Sequence, residues 1–442
     1  MVALASRAAL VMSASSLTLL GVAALTTAQA VTPTATSAQA TAAQTAWTKT
    51  TVAQASAAQT TPAEVAAVHA SRPAPGWRVD HTIAKQGGFA NLVGIDATSS
   101  RDAWAVGFEG KATAAFESGL ITRWNGRVWQ TVTLPGRIST RWGHSNPDGA
   151  AVGATSYADV WVADSTAYIH LSGTRWTLGA VPGNASSKQD VKSVDIFSVR
   201  AFSRTSAWLF GDIDTISNST EHNTFSPYAA HFNGRTFVHV PVPGQGSVTA
   251  VSAVSPDNMW AVVSQSEFTH GPTDATVVHW AGPGAGWQAA AVQPKLPAGT
   301  VLNSVLAQPG GQVWAGGGAT NSRATRGTKG KTEVVARWNG HAWAVTRLPA
   351  SPSRGRFTMI SLVPDGRGGL WGLGQAGNRL PIADRLWHLQ RGKWSLVRPD
   401  FGHQIWTLQQ LTAVPHAASA WAAGTTHDNR DGLIAIVGQV PH

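Results

Sequence analysis

The 442-residue chain contains no cysteine. That excludes disulfide staples, thiolate-held zinc and a cysteine nucleophile, and leaves stability to a packed core. Charge is sparse at 13% of residues, and acids are the scarcer sign: 23 Asp and Glu against 33 Lys and Arg, a formal net charge of +10. A basic balance favours anionic partners such as acidic glycans, envelope polymers, nucleic acid or anionic headgroups, although an ordinary solvated surface explains it equally. Long apolar runs are missing beyond the N-terminus, where Ala8 to Leu25 alone approaches the roughly 18–20 residues of a membrane span. Tyrosine occurs only 3 times and methionine 4 times, whereas tryptophan occurs 20 times.

The first 30 residues read as an export signal. Arg7 supplies the positive end, Ala8 to Leu25 the apolar stretch, and Ala28-Gln29-Ala30 a small-x-small cleavage pattern. An uncleaved anchor is the alternative, weakened by the Ser and Thr residues scattered through the stretch. Residues 31–70, rich in Ala, Thr, Gln and Ser, read as a flexible leader with little to bury apart from Trp47. The folded body is expected over 71–442, with no transmembrane span once the signal is removed.

That body is a repeat. A tryptophan inside a short apolar run recurs as Trp104, Trp161, Trp208, Trp260, Trp314, Trp371 and Trp421, at intervals of 47 to 57 residues. Such periods fit propeller blades, each a four-stranded antiparallel sheet. A second signature follows in each unit: Trp124-Asn125-Gly126-Arg127-Val128-Trp129, Phe232-Asn233-Gly234-Arg235-Thr236-Phe237 and Trp338-Asn339-Gly340-His341-Ala342-Trp343, with looser copies ending at Trp176, Trp287 and Trp394. Asn-Gly predicts a type I′ hairpin between third and fourth strands. The aromatic beyond it is expected to cover the outer edge of the blade. His231 and His279 fall on strands and read as structural.

The ends of the chain predict how the ring is completed. The seventh unit stops after its third strand, Leu433 to Val440, without an outer aromatic. Trp77 precedes Trp104 by 27 residues, the offset that also separates Trp287 from Trp314 and Trp394 from Trp421. The expected fold is therefore all-β: a seven-bladed propeller of four-stranded antiparallel blades, closed by an N-terminal outer strand around Trp77 that completes the C-terminal blade and leaves no exposed sheet edge.

These Trp-Ala-Val-Gly strands and Asn-Gly hairpins, over about residues 71–442, resemble secreted bacterial propellers of the kelch and galactose-oxidase-like type. The resemblance implies architecture and says little of function. The kelch Gly-Gly doublet is patchy, as at Gly316-Gly317, and the sialidase-type Asp-box is absent. The oxidase chemistry of this class needs a Cys-linked Tyr radical, which a cysteine-free chain cannot form.

In such a blade the second-to-third and fourth-to-first connections emerge on one rim, and these are the variable ones, so a site is expected there. Trp142 and His144 fall on a fourth-to-first insertion, where the indole reads as a sugar-stacking platform or as packing under its loop. Asp212, Asp214, Glu221 and His222 share the long loop of the third blade, and Glu267, His270 and Asp274 that of the fourth. Asp212 and Asp214 with Glu221 suit calcium, but such acids also form plain turns. His427, Asp428 and Asp431 echo a calcium loop with His in the first ligand position, which favours a hairpin. Arg323, Arg326, Lys329 and Lys331 make a basic loop fit for an acidic polymer, or a merely solvated one.

No nucleophile, carboxylate pair or metal triad stands out locally. The reading is a secreted, monomeric, cofactor-free binding module for a cell-envelope or environmental glycan, or for a protein. The alternative is a glycoside hydrolase or polysaccharide lyase with its site on the same rim. Nucleic acid fits less well, because the aromatics are periodic rather than interleaved with basic residues along a groove.

Overall fold

Period-2 alternation around each tryptophan buries one row of side chains on either face of a short strand, and such strands must pair and stack to leave water. The computed structural model describes residues 76–84, 88–111, 118–142, 150–187, 190–217, 223–265, 275–320, 331–349, 356–377, 384–401, 406–426 and 431–438. All fall in one compact unit. They form seven antiparallel sheets, six of four strands and one with a short fifth.

The inner strands are Gly88–Ser99, Ala151–Ser156, Asp190–Ser203, Ser247–Ser255, Val301–Ala307, Arg356–Pro364 and Trp406–Ala413. Each packs against the next, and the last packs against the first. That closed circuit makes the seven sheets the blades of a β-propeller. The seventh sheet joins both ends of the described chain: Arg78–Ala84 pairs antiparallel with Asp431–Val437, from Arg78 opposite Ile436 to Ala84 opposite Asp431. Among the described residues no helix is long and apolar enough to cross a membrane.

Tryptophan packing welds neighbouring blades. Trp104 meets Trp176 of blade 2, Trp161 meets Phe232 and Phe237 of blade 3, and Trp208 meets Trp280 and Trp287 of blade 4. Trp314 meets Trp394 of blade 6, and Trp421 meets Trp124 and Trp129 of blade 1. Trp260 shares a core with Trp338 and Trp343 of blade 5. Trp371 meets Trp77 edge-on at 5.6 Å. The outer aromatics thus fill the seams between blades instead of covering a blade edge, because the twist of each sheet turns its outer strand toward the preceding blade.

Two features differ from the sequence expectation. Asn125, Asn233 and Asn339 do not adopt the positive φ that a type I′ turn demands; only the following glycines do, at +90°, +93° and +99°. Each Asn Oδ1 instead accepts hydrogen bonds from the backbone N–H groups two and three residues on. The side chain thus stands in for a backbone carbonyl and stabilises a four-residue loop. A two-residue loop with both central residues at positive φ occurs at Arg391-Gly392, +48° and +77°.

The second feature concerns the inner strands, all seven of which slip register by one residue: six within the strand, at Val93, Phe197, Thr249, Asn303, Ile360 and Gln409, and that of blade 2 beside its turn, at Thr155. A bulge there bends the strand and re-aims its neighbours. Side-chain hydrogen bonds then bridge every seam near the axis, among them Ala154 N to Asp96 Oδ2 (2.9 Å), Ser165 Oγ to Asp195 Oδ1 (2.8 Å), Thr249 Oγ1 to Leu302 O (2.7 Å) and Ile95 N to Gln410 Oε1 (3.1 Å).

Candidate functional site

The meander order sends second-to-third and fourth-to-first connections to one rim, the loop rim, and the short turns to the other, the hairpin rim. Most of the expected site falls in the long connections. His144, Glu221, His222, Glu267, His270, Asp274, Arg323, Arg326, Lys329, His427 and Asp428 lie outside the described residues. Lys331 opens the third strand of blade 5, with its side chain outside the description. Asp431 opens the third strand of blade 7, paired with Ala84.

Trp142 is fully buried and offers no sugar platform. It follows the helical turn Gly136–Ser139 and packs with Phe108, Ile138 and Val152 between blades 1 and 2. Its ring lies so close to Gly119 that no side chain fits there.

Asp212 and Asp214 sit on a strand, Ser206–Ser217, rather than in the loop after it. Blade 3 is drawn out toward the loop rim, and these acids continue the row of Trp208 and Phe210 at alternate positions, facing blade 4. Both are buried, and Asp195 on the inner strand stands opposite Asp212. Ser247 Oγ, at the head of the inner strand of blade 4, donates to Asp212 Oδ2, and Asn223 Nδ2 donates to Asp214 Oδ2 (3.3 Å). The Oδ1 atoms of both acids are buried without a hydrogen-bond partner, as is Oε1 of Gln265, the residue after the one paired with Ser247.

Burial lifts the Asp212 carboxyl to about 7 against the Ser247 bond, with the charges of Asp195 and Asp214 adding to the rise. Burial and then Asp195 lift Asp214 to about 6. Two carboxyls that exchange protons near neutrality, with open acceptor atoms, suit hydrogen-bond donors or general acid–base work. The calcium reading needs Glu221, outside the described residues; among the described residues no three His, Asp or Glu side chains gather closely enough to hold a metal ion.

The histidines of the third strands are structural. Each lies opposite its blade's tryptophan and rests against it: His170 stacks on Trp161 at 3.6 Å, His231 on Trp208 at 4.5 Å and His388 on Trp371 at 3.7 Å, while His279 lies tilted by 40° against Trp260 at 4.4 Å. The outer nitrogens bond Asp159, Ser206, Asn258 and Asp365 respectively. In blades 1 and 5 an arginine, Arg123 or Arg337, takes the same place over the ring.

Sequence reasoning missed a second polar group. Glu333 is fully buried between blades 5 and 6, paired with Arg385 at 3.1 Å and accepting from Trp387 Nε1 at 3.2 Å, with the guanidinium over Phe357. Burial lowers the affinity of Arg385 for its proton, and the Glu333 charge restores part of it. The two residues stand about one repeat apart, so no local spacing links them.

No family model matches the chain, and no curated protein matches it. Solved structures are similar to it at low identity. "YCF48 bound to D1 peptide" is 15% identical over 82% of this chain and 96% of that one, with a TM-score of 0.49. An ulvan lyase of polysaccharide lyase family PL25 is 11% identical over 78% and 94%, with a TM-score of 0.44. The fucose-recognising six-bladed lectin of Aleuria aurantia is 11% identical over 73% and 99%, with a TM-score of 0.38.

Proposed function

We propose that this chain is an exported, non-enzymatic binding propeller that presents its loop rim to a glycan of the cell envelope or surroundings, or to a protein. In this reading residues 1–30 direct export, 31–70 form a leader and 71–442 the ring, with the strand after Trp77 acting as its clasp. The kinship with kelch and galactose-oxidase-like propellers belongs to the same reading and is carried by the blade pattern alone.

The observation that supports the binding role is the contrast between rims. Turns of the hairpin rim are short and repetitive, whereas connections of the loop rim differ in every blade, as expected where a rigid scaffold carries variable recognition loops. The basic loop 323–331 directs the reading toward acidic polymers.

A second reading, a carbohydrate-active enzyme, is favoured by one specific observation: Asp212 and Asp214 take up protons near neutrality at the loop-rim end of blade 3. A glycan array probed with the purified chain, followed by hydrolase and lyase assays on every retained glycan, separates the two. Retention without turnover is the expected result. Product release that disappears in Asp212→Asn would replace the binding reading with the enzymatic one, and an empty array would remove the glycan from both.

A further inference from the structure

The hairpin rim carries a charge pattern independent of the loop-rim site. Arg101 and Arg127 of blade 1, Arg175 of blade 2, Arg204 and Arg235 of blade 3, and Arg367, Arg391 and Lys393 of blade 6 occupy its turns, and all are exposed. Among the described residues Asp257 of blade 4 is the one exposed acid in those turns. The other acids near this rim do not reach its surface: Asp102, Asp159 and Asp365 are buried and hydrogen-bonded to Arg123, His170 and His388. Apolar side chains stand among the cations: Tyr157 is 63% exposed, Val128 49% and Val254 38%.

The distribution narrows the partner. The cations sit on short turns, spread over blades 1, 2, 3 and 6 of the ring. A linear polymer in a groove would meet one arc of them, because a track requires cations in file. A broad, flat, anionic surface meets them together, and apolar tips among cations suit the headgroup boundary of a bilayer. We propose that the hairpin rim is a docking face for anionic lipid bilayers. The molecule would then lie with its axis along the membrane normal and its loop rim turned outward.

Co-sedimentation of the full chain with vesicles of equimolar phosphatidylcholine and phosphatidylglycerol tests this. Residues 8–25 are common to every variant, so their own lipid affinity cancels in the ratios. Binding to these vesicles should exceed binding to pure phosphatidylcholine and weaken with salt. Replacing Arg127, Arg175 and Arg235 by Gln should lower partitioning on the order of a hundredfold, as expected for three interfacial cations. Replacing Arg137, Arg141 and Lys295, which lie in loop-rim connections, by Gln should leave it within about twofold of wild type, since these cations stay outside a Debye length of the bilayer. Equal loss in both triple variants, no preference for phosphatidylglycerol, or capture by soluble dextran sulfate without vesicle binding would each overturn the proposal. Glycan retention that survives the Arg127, Arg175 and Arg235 replacements does not run through the hairpin rim, so either result stands without the other.

Discussion

Tryptophan does the structural work that disulfides do in many exported proteins. Trp77 is wholly buried against Trp371, and its carbonyl accepts a hydrogen bond from Asp400 N at 2.7 Å. Trp77→Ala leaves an indole-sized void in the seam and is expected to lower unfolding free energy by about 3–5 kcal/mol. Val128→Ala, at an exposed turn, should stay within about 0.5 kcal/mol. Denaturant titration of the two variants compares them, and equal midpoints would remove the clasp reading. Titration at single residues follows from burial as well. His279 is held down at about 4 from 6.5, so its native form refuses a proton that the unfolded chain takes, and stability falls as pH drops between those values. Asp212 has the opposite sign. Its native form keeps a proton up to about 7 that the unfolded chain releases near 3.8, so stability falls as pH rises through that window. Asp212→Asn is therefore expected to gain stability over wild type progressively from about pH 4 to 7, read as a widening difference in Tm; a constant difference would contradict the raised carboxyl.

At the scale of the element, the hairpins show how one side chain replaces a turn type. Asn233 Oδ1 accepts from Arg235 N and Thr236 N at 3.0 Å each, which sets the loop so that Phe232 faces Phe237. Asn233→Ala removes both bonds at an exposed site and is expected to destabilise the protein by about 1–2 kcal/mol. Asn233→Asp keeps the acceptor and should recover most of that. Thermal unfolding of the pair decides it, and equal losses in both variants would show that the amide's acceptor is not what holds the loop. The inner-strand bulges act at the same scale. Each lengthens one strand against its partner and aims polar groups across the seam, which ties the ring at its narrowest radius, where packing volume is smallest.

The whole molecule depends on its seams, since each blade alone is a small sheet with two apolar faces. Most seams are closed by indoles and aliphatics. The seam between blades 5 and 6 also buries an ion pair, whose loss strands a charge. Glu333→Ala is expected to cost about 3–5 kcal/mol because Arg385 is left buried without its counter-ion. Adding Arg385→Met should restore part of the loss, and a double variant no better than the single would assign the effect to packing instead. Denaturant midpoints of the three proteins make the comparison.

Blade number and strand type were legible in the chain, because they rest on recurrence and on period-2 alternation, both properties of local sequence. The seam role of Trp129 and Trp287, the burial of Trp142, the meeting of Asp195 with Asp212 and the pairing of Glu333 with Arg385 were not. Each joins residues on different strands or blades, and their proximity depends on how twisted sheets nest around an axis. A chain can state which side chains must leave water. Only the packed ring decides which neighbour receives them, and therefore which carboxyls keep their protons and which arginines stay on the surface.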